Sequence, residues 1–118
     1  MRCSRLAIAF WGVVSFLAST TSVCAKTQLG FGLSPCSQYN QLRQQAPAIG
    51  HEFDAWILGY LSGVNFIVYL SRGVDLLAAE NSEKIIGYIQ GYCTANPNKT
   101  VTEAANEYWF GLADQARK

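Results

Sequence analysis

Few side chains in this protein can do chemistry, and their spacing narrows what that chemistry could be. Its 118 residues include one histidine, four cysteines and eight acidic residues. The stretch GYCTANPNKT, Gly91 to Thr100, places Cys93 at the close of an apolar run, about a turn before Pro97. Cys36 stands far upstream in SPCSQYNQL. Two cysteines and a distant histidine do not complete the four-ligand shell of a structural zinc site. His51 has no partner at a fixed spacing to orient it as a general acid or base, so it reads as a solvated residue at a helix start. Glu103 and Glu107 are four apart and share one helix face, a spacing at which carboxylates can do acid–base work or bind calcium. Glu103 also completes Thr100-Val101-Thr102-Glu103, the pattern of a capping box, and Glu107 reads as solvated surface. Glu52 and Asp54 fall at the start of a predicted helix, where the backbone dipole favours negative charge. Asn98-Lys99-Thr100 fits an N-glycosylation acceptor, and equally a turn leading into an N-cap, which is the preferred reading. The sequence has no Gly-rich phosphate loop, GxSxG, HExxH or CxxC. The chain is therefore read as a non-enzyme with no cofactor and no metal.

The elements that position these residues begin after a leader. Arg2 and Arg5 precede the uncharged run LAIAFWGVVSFLA, Leu6 to Ala18, and Val23-Cys24-Ala25 offers small residues where a signal peptidase reads. These are the three parts of a secretory signal peptide, residues 1–25, with cleavage expected after Ala25. The competing reading is a membrane anchor, but the run falls short of the ~20 residues that span a bilayer. Removal of the leader takes Cys3, Cys24, Arg2 and Arg5, leaving a net charge of −1 in place of +1. Such a chain has no basic stripe, and nucleic acid is excluded as an expected partner. In an oxidising compartment Cys36 and Cys93 have one intramolecular pairing open to them; the alternative is two buried free thiols. A disulfide closing that loop is worth roughly 4 kcal/mol in the chain-entropy picture.

Residues 26–33 are Gly-rich and read as a flexible leader, with 34–118 as a single helical domain. Ser34-Pro35 predicts a helix start, N-cap followed by proline in the first turn, with the helix running to about Gln45 and Tyr39 and Leu42 facing inward. Pro47 and Gly50 are expected to break it. Phe53, Trp56, Ile57, Tyr60, Leu61, Val64, Ile67 and Val68 then recur at helical spacing and predict one core-facing stripe. Ala55, Gly59 and Gly63 form a second stripe. Glycine costs a helix about 1 kcal/mol relative to alanine, so Gly59 and Gly63 are expected to mark close packing of another backbone. Ala55 to Leu70 carries no charge, but it includes Ser62 and Asn65 and is short for a span, so membrane insertion is not expected. Arg72-Gly73 ends this helix, and Val74 to Ala79 is a short helix or packed loop. Asn81 or Ser82 caps a third helix to about Cys93, with Ile85, Ile86, Ile89 and Tyr92 on one face. The residue before Pro97 stops it. Val101 to Gln115 forms the last helix. The fold class is all-α, a small bundle of four or five helices stapled by one disulfide. Phe66, Tyr69 and Phe110 fall off the core faces and are the candidate partner-binding residues; a second buried face is the alternative reading.

The segment YIQGYCTANPNKTVTEAANEYW, together with the early cysteine of SPCSQYNQL, resembles the HdeA/HdeB-type periplasmic acid-stress chaperones. GYLSGVNFI and the cysteine–proline segment are similar, more weakly, to type VI secretion amidase-immunity proteins. The first resemblance implies a periplasmic protein of a Gram-negative bacterium that dimerises, loosens in acid and holds unfolding clients, with Cys36 and Cys93 tying the first helix to the third. The second implies an inhibitor of one dedicated toxin or enzyme; a small envelope-associated structural protein is a third class. The partners expected are thus proteins, clients or a single toxin, and a homodimer is compatible with either. With one histidine in the chain, any acid response must come mainly from carboxylates.

Overall fold

The computed structural model describes residues 29–118, so the expected signal peptide and residues 26–28 of the leader lie outside the described residues. A short 3-10 turn, Phe31–Leu33, is followed by four helices: α1 (Cys36–Gln45), α2 (Pro47–Arg72), α3 (Ser82–Ala95) and α4 (Val101–Gln115). No strand occurs among the described residues. The only β pairing there is an isolated antiparallel bridge, Pro35 with Thr100.

Sequence explains most of the helix ends. Asn81 caps α3, its side chain accepting from the Lys84 backbone N–H at 2.9 Å. Thr100 and Glu103 form the expected capping box on α4: the Thr100 Oγ1 accepts from Glu103 N, and the Glu103 carboxylate accepts from Thr100 N at 2.8 Å. Gly73 closes α2 in the left-handed region, φ 68°, where glycine has no side-chain penalty. The start of α1 differs by one residue from the expected proline-first turn. Pro35 occupies the N-cap position itself, without a side-chain cap, because its backbone pairs with Thr100 instead.

The core is one cluster fed by all four helices. Cys36 and Tyr39 come from α1, and Phe53, Ile57 and Leu61 from α2. Ile85, Ile86, Ile89 and Cys93 come from α3, and Val101, Ala105, Tyr108 and Leu112 from α4. The disulfide Cys36–Cys93 runs through it, both residues fully buried. Backbone bonds reinforce the same junction. Cys36 N donates to Lys99 O at 2.8 Å, Ser37 N to Pro97 O at 3.0 Å and Val101 N to Ser34 O at 3.1 Å. The staple therefore ties the first helix to the third, and the hydrogen bonds beside it bring in the start of the fourth.

Four sequence expectations need correction. First, Gly50 does not break a helix. Only Ala46 separates α1 from α2, Pro47 opens α2 at its first position, and Gly50 is buried inside that helix. A Cβ there would lie 3.0 Å from the Arg43 Cα, so Gly50 is where two helices pack closely. Second, Gly59 and Gly63 do not mark close packing: no atom lies within 4 Å of a Cβ built on either, and both face outward. Third, Ile67 is not a core residue but 65% exposed. At 26 residues α2 outruns α1, α3 and α4, which have 10, 14 and 15, so its last turns lack a helix to pack against. Leu76 and Leu77 fold back to cover one side of them, beside Val64 and Val68. Fourth, part of the expected leader, Phe31 and Gly32, packs on the core. Phe31 packs on Phe53 with ring centroids 4.2 Å apart, and Gly32 is buried. A Cβ on Gly32 would meet Trp56 and Thr102 at 2.4–2.5 Å, so only glycine lets the segment lie this close.

Candidate functional site

Two surfaces have the content of a site: a polar cluster where α1 meets α2 and α3, and the outer face of α2.

The polar cluster centres on Asp54. The Tyr39 Oη donates to Asp54 Oδ1 at 2.9 Å, Arg43 pairs with Asp54 Oδ2, and His51 Nδ1 stands 4.0 Å from that oxygen. Arg43 also reaches α3: with the Gln90 amide oxygen turned toward it, Nε and Nη2 donate at 2.6 and 2.7 Å. Burial, and then the Asp54 carboxylate, push the Tyr39 hydroxyl well above its ordinary range. A phenol held that firmly protonated is a donor and not a base. Asp54 thus does not act through the helix dipole, as its sequence position suggests; α2 begins two turns earlier and the carboxylate is a tie between helices. His51 has a side chain 79% exposed and no nucleophile within the cluster. The geometry is that of a latch joining three helices.

Glu80 is a second latch, and Glu103 is a local cap on its own helix. Glu80, in the turn before α3, accepts from the Tyr108 hydroxyl of α4 and from Lys84 Nζ at 2.8 Å. Those bonds, Lys84 foremost, hold its carboxyl below the ordinary value of 4.5. Burial and then Glu80 push the Tyr108 hydroxyl up. Glu103 is held low as well, first by the Thr100 backbone N–H and then by Lys99. Glu107 is exposed on the same helix; Lys99 bonds to Glu103 and feels Glu107 only through its charge. The spacing of four therefore does not make a carboxylate pair. Among the described residues no group of three metal-ligating side chains comes together. Thr100 of the Asn98-Lys99-Thr100 motif is engaged as the α4 cap, and Asn98 lies exposed in the turn.

The outer face of α2 is apolar and open. Phe66 and Tyr69 are 58% and 53% exposed, and Leu70 is 65% exposed. A shallow recess of about 360 Å³ runs between Phe66, Tyr69 and the turn residues Asp75 and Leu77. Asn65 builds its floor: Nδ2 donates to Asp75 Oδ1 at 2.8 Å, and Oδ1 accepts from Leu76 N at 2.9 Å. A second recess of about 410 Å³ lies nearer the start of the helix, lined by Leu29, Ala55, Trp56, Gly59 and Tyr60. Trp56 is fixed there, its Nε1 donating to Leu29 O at 3.0 Å and its ring stacked on Tyr60 at 5.3 Å. Of the three aromatic candidates, the structure brings Phe66 and Tyr69 to one recess. Phe110 is exposed on α4 and does not line it. Leu70 and the Ala55–Gly59 recess were missed as site features. The signal for both was the uncharged run from Ala55 to Ser71, which exceeds what one core-facing stripe requires. By length and composition α2 is the one described helix that could cross a membrane, and only 17% of its apolar window is buried. No family model, curated protein or solved structure matches this chain.

Proposed function

We propose that this chain is a secreted, non-enzymatic protein-binding domain of the periplasm that holds unfolding client polypeptides, in the manner of the HdeA-type chaperones it resembles. The observation that carries the reading is the outer face of α2. Phe66, Tyr69 and Leu70 stand more than half exposed on a helix with no charge from Ala55 to Ser71. An exposed apolar patch of this kind marks a surface for another chain. The latches suit an acid response. Glu80 and Glu103 are held below 4.5 by the bonds they accept, so each stabilises the bundle above that pH and ceases to as pH falls through its folded value. Protonation would free α4 from the turn before α3 and from its cap, widening the apolar surface, while the disulfide keeps α1 and α3 joined.

The test is acid aggregation. The protein is mixed with unrelated clients, taken to about pH 2–3, where native carboxylates protonate, and followed by light scattering. Suppression near stoichiometric ratios, weakened by Phe66→Glu, is the expected result. No suppression from a protein whose near-UV circular dichroism persists at that pH would overturn the holdase reading. A single dedicated toxin or enzyme is the second reading. The preformed recess beside Trp56 favours it, since that recess has a fixed shape; one tight partner recovered from the periplasm would support it.

A further inference from the structure

We infer that the recess between Phe66, Tyr69 and Asp75 binds the lysine side chain of a docked polypeptide, its ammonium group against the Asp75 carboxylate and its stem along the two rings. This rests on the reading of the outer face of α2 as a surface for other chains and names the chemistry that surface selects.

The fold brings a carboxylate to a face that has none of its own. α2 carries no charge from Ala55 to Ser71. Gly73 then turns the backbone through the left-handed region, φ 68°, and the segment after it folds back beside Asn65. The Asn65 Nδ2 donates to Asp75 Oδ1 at 2.8 Å, the Asn65 Oδ1 accepts from Leu76 N at 2.9 Å, and Leu77 N donates to Asp75 Oδ1 at 3.1 Å. Asp75 is thereby fixed in the lining of a recess that it shares with Ser62, Phe66, Tyr69 and Leu77. The turn needs the oxygen and not the charge, because an asparagine amide oxygen would accept the same two bonds. Nor is the charge used inside the domain. Among the described residues the ion pairs engage Asp54, Glu80, Glu103 and Asp114 and leave Asp75 out.

What stays open in the recess suits a cation. The Ser62 hydroxyl proton is spent on Leu58 O at 2.7 Å, so Ser62 offers lone pairs and no donor. Both bonds to Asp75 fall on Oδ1, which fills that oxygen and leaves Oδ2 as the acceptor. Phe66 and Tyr69 are more than half exposed, and neither ring packs on another aromatic among the described residues. The faces of such rings attract an ammonium group, and the carboxylate beside them attracts the same group. An anion would meet both the carboxylate and the electron-rich rings. A neutral apolar side chain would cover the rings but take water from the carboxylate without replacing it. Lysine has both parts, methylenes for the rings and a single-point charge for the one free oxygen. The fork of an arginine is matched to two carboxylate oxygens, and one of these is already filled. The recess, about 360 Å³ and shallow, has room for one long side chain.

The experiment is the binding of labelled, unstructured, end-capped peptides to the purified protein at neutral pH and low salt, read by fluorescence anisotropy. NMR follows the ring protons of Phe66 and Tyr69. The peptides share one apolar sequence around a central lysine, norleucine or glutamate, and n-butylammonium serves as the free amine. The lysine peptide should bind about tenfold tighter than the norleucine peptide, the joint effect of an exposed ion pair and a cation–π contact. The glutamate peptide should bind more weakly than either. Asp75→Asn should erase the lysine preference while leaving norleucine affinity, helicity and melting temperature unchanged. Phe66→Leu, which keeps an apolar side chain but removes a ring, should reduce that preference. A preference that survives Asp75→Asn, ring shifts with n-butylammonium but none with the lysine peptide, or no binding of any peptide would overturn the proposal. Equal binding of the lysine and norleucine peptides, by a protein that still suppresses acid aggregation, would sink the lysine site and leave the holdase reading standing. A lysine preference lost in Asp75→Asn, from a protein without suppression, would do the reverse.

Discussion

Replacing Cys36 and Cys93 together by alanine tests what holds this small domain. The bridge closes a loop with a sequence separation of 57. Loop-closure entropy for that length corresponds to about 4 kcal/mol, exerted on the unfolded chain. Both sulfurs are fully buried, so each alanine also leaves a small cavity, worth about 1 kcal/mol apiece. The expected loss is thus about 5–6 kcal/mol, against the ~5–15 kcal/mol that small domains possess. The native junction itself should persist where the variant folds, because Cys36 N, Ser37 N and Val101 N keep their acceptors in Lys99, Pro97 and Ser34. The assay is urea unfolding followed by circular dichroism. A lower midpoint and a steeper dependence on urea are expected, the latter because the unlinked unfolded chain exposes more surface. A loss below about 2 kcal/mol with an unchanged urea slope would refute the reasoning. It would mean that the hydrogen-bonded junction and the core, and not the covalent loop, set the stability.

The remaining predictions concern the segment before α1, the latches and the exposed glycines of α3. Gly32→Ala drives a methyl into Trp56 and Thr102 and should cost about 1–3 kcal/mol; limited proteolysis should then cut near residues 29–33, and a variant as resistant as the parent would refute it. Stability should be level at neutral pH and fall below about pH 4.5, as Glu80 and Glu103 lose their bonds in turn. Glu80→Gln should lower neutral stability by about 1–3 kcal/mol through the lost Lys84 and weakened Tyr108 contacts, and should flatten the acid limb of a pH titration of the melting temperature. Gly87→Ala and Gly91→Ala each place a methyl in open space on a helix and should raise stability by about 0.5–1 kcal/mol; a loss at either site, measured by thermal melts, would show an unseen contact.

How much of this was legible in the sequence depended on the range of the interaction. The α4 capping box, the Asn81 cap and the Gly73 stop were legible because each is decided within four residues. The disulfide was legible because only two cysteines remain once the expected leader is set aside. The glycines were not. A helical glycine can mean close approach or nothing at all, and which it means depends on the neighbouring element. Gly50 lies against Arg43 while Gly59 and Gly63 face open space. Ile67 failed for a related reason. Its spacing fits the core stripe, but periodicity does not say where the partner helices end. Tyr39, Asp54 and Arg43 were each visible, yet their convergence follows from Ala46 as a one-residue hinge between α1 and α2, which the expected break at Gly50 had hidden.

These facts bear on how one helix can serve two roles. The inner face of α2, through Phe53, Ile57 and Leu61, supplies core to every other helix. Its outer face contributes nothing to that core, yet it is spared charge for seventeen residues, Ala55 to Ser71. An exposed helix face gains solubility and a few tenths of a kcal/mol from each opposite-charge pair placed along it, so leaving it bare forgoes stability that lysine or glutamate would readily supply. Among the carboxylates, Asp54 joins α1 to α2 and Glu80 joins the turn before α3 to α4, while Glu103 caps its own helix. Carboxylates thus tie elements of the bundle together, while the outer face of α2 is left without charge. Moving one charge should expose the division. Phe66→Lys should leave stability within about 0.5 kcal/mol of the parent, as for any exposed substitution, while abolishing client binding. A variant that lost stability as well would show that the outer face belongs to the fold and not to a partner.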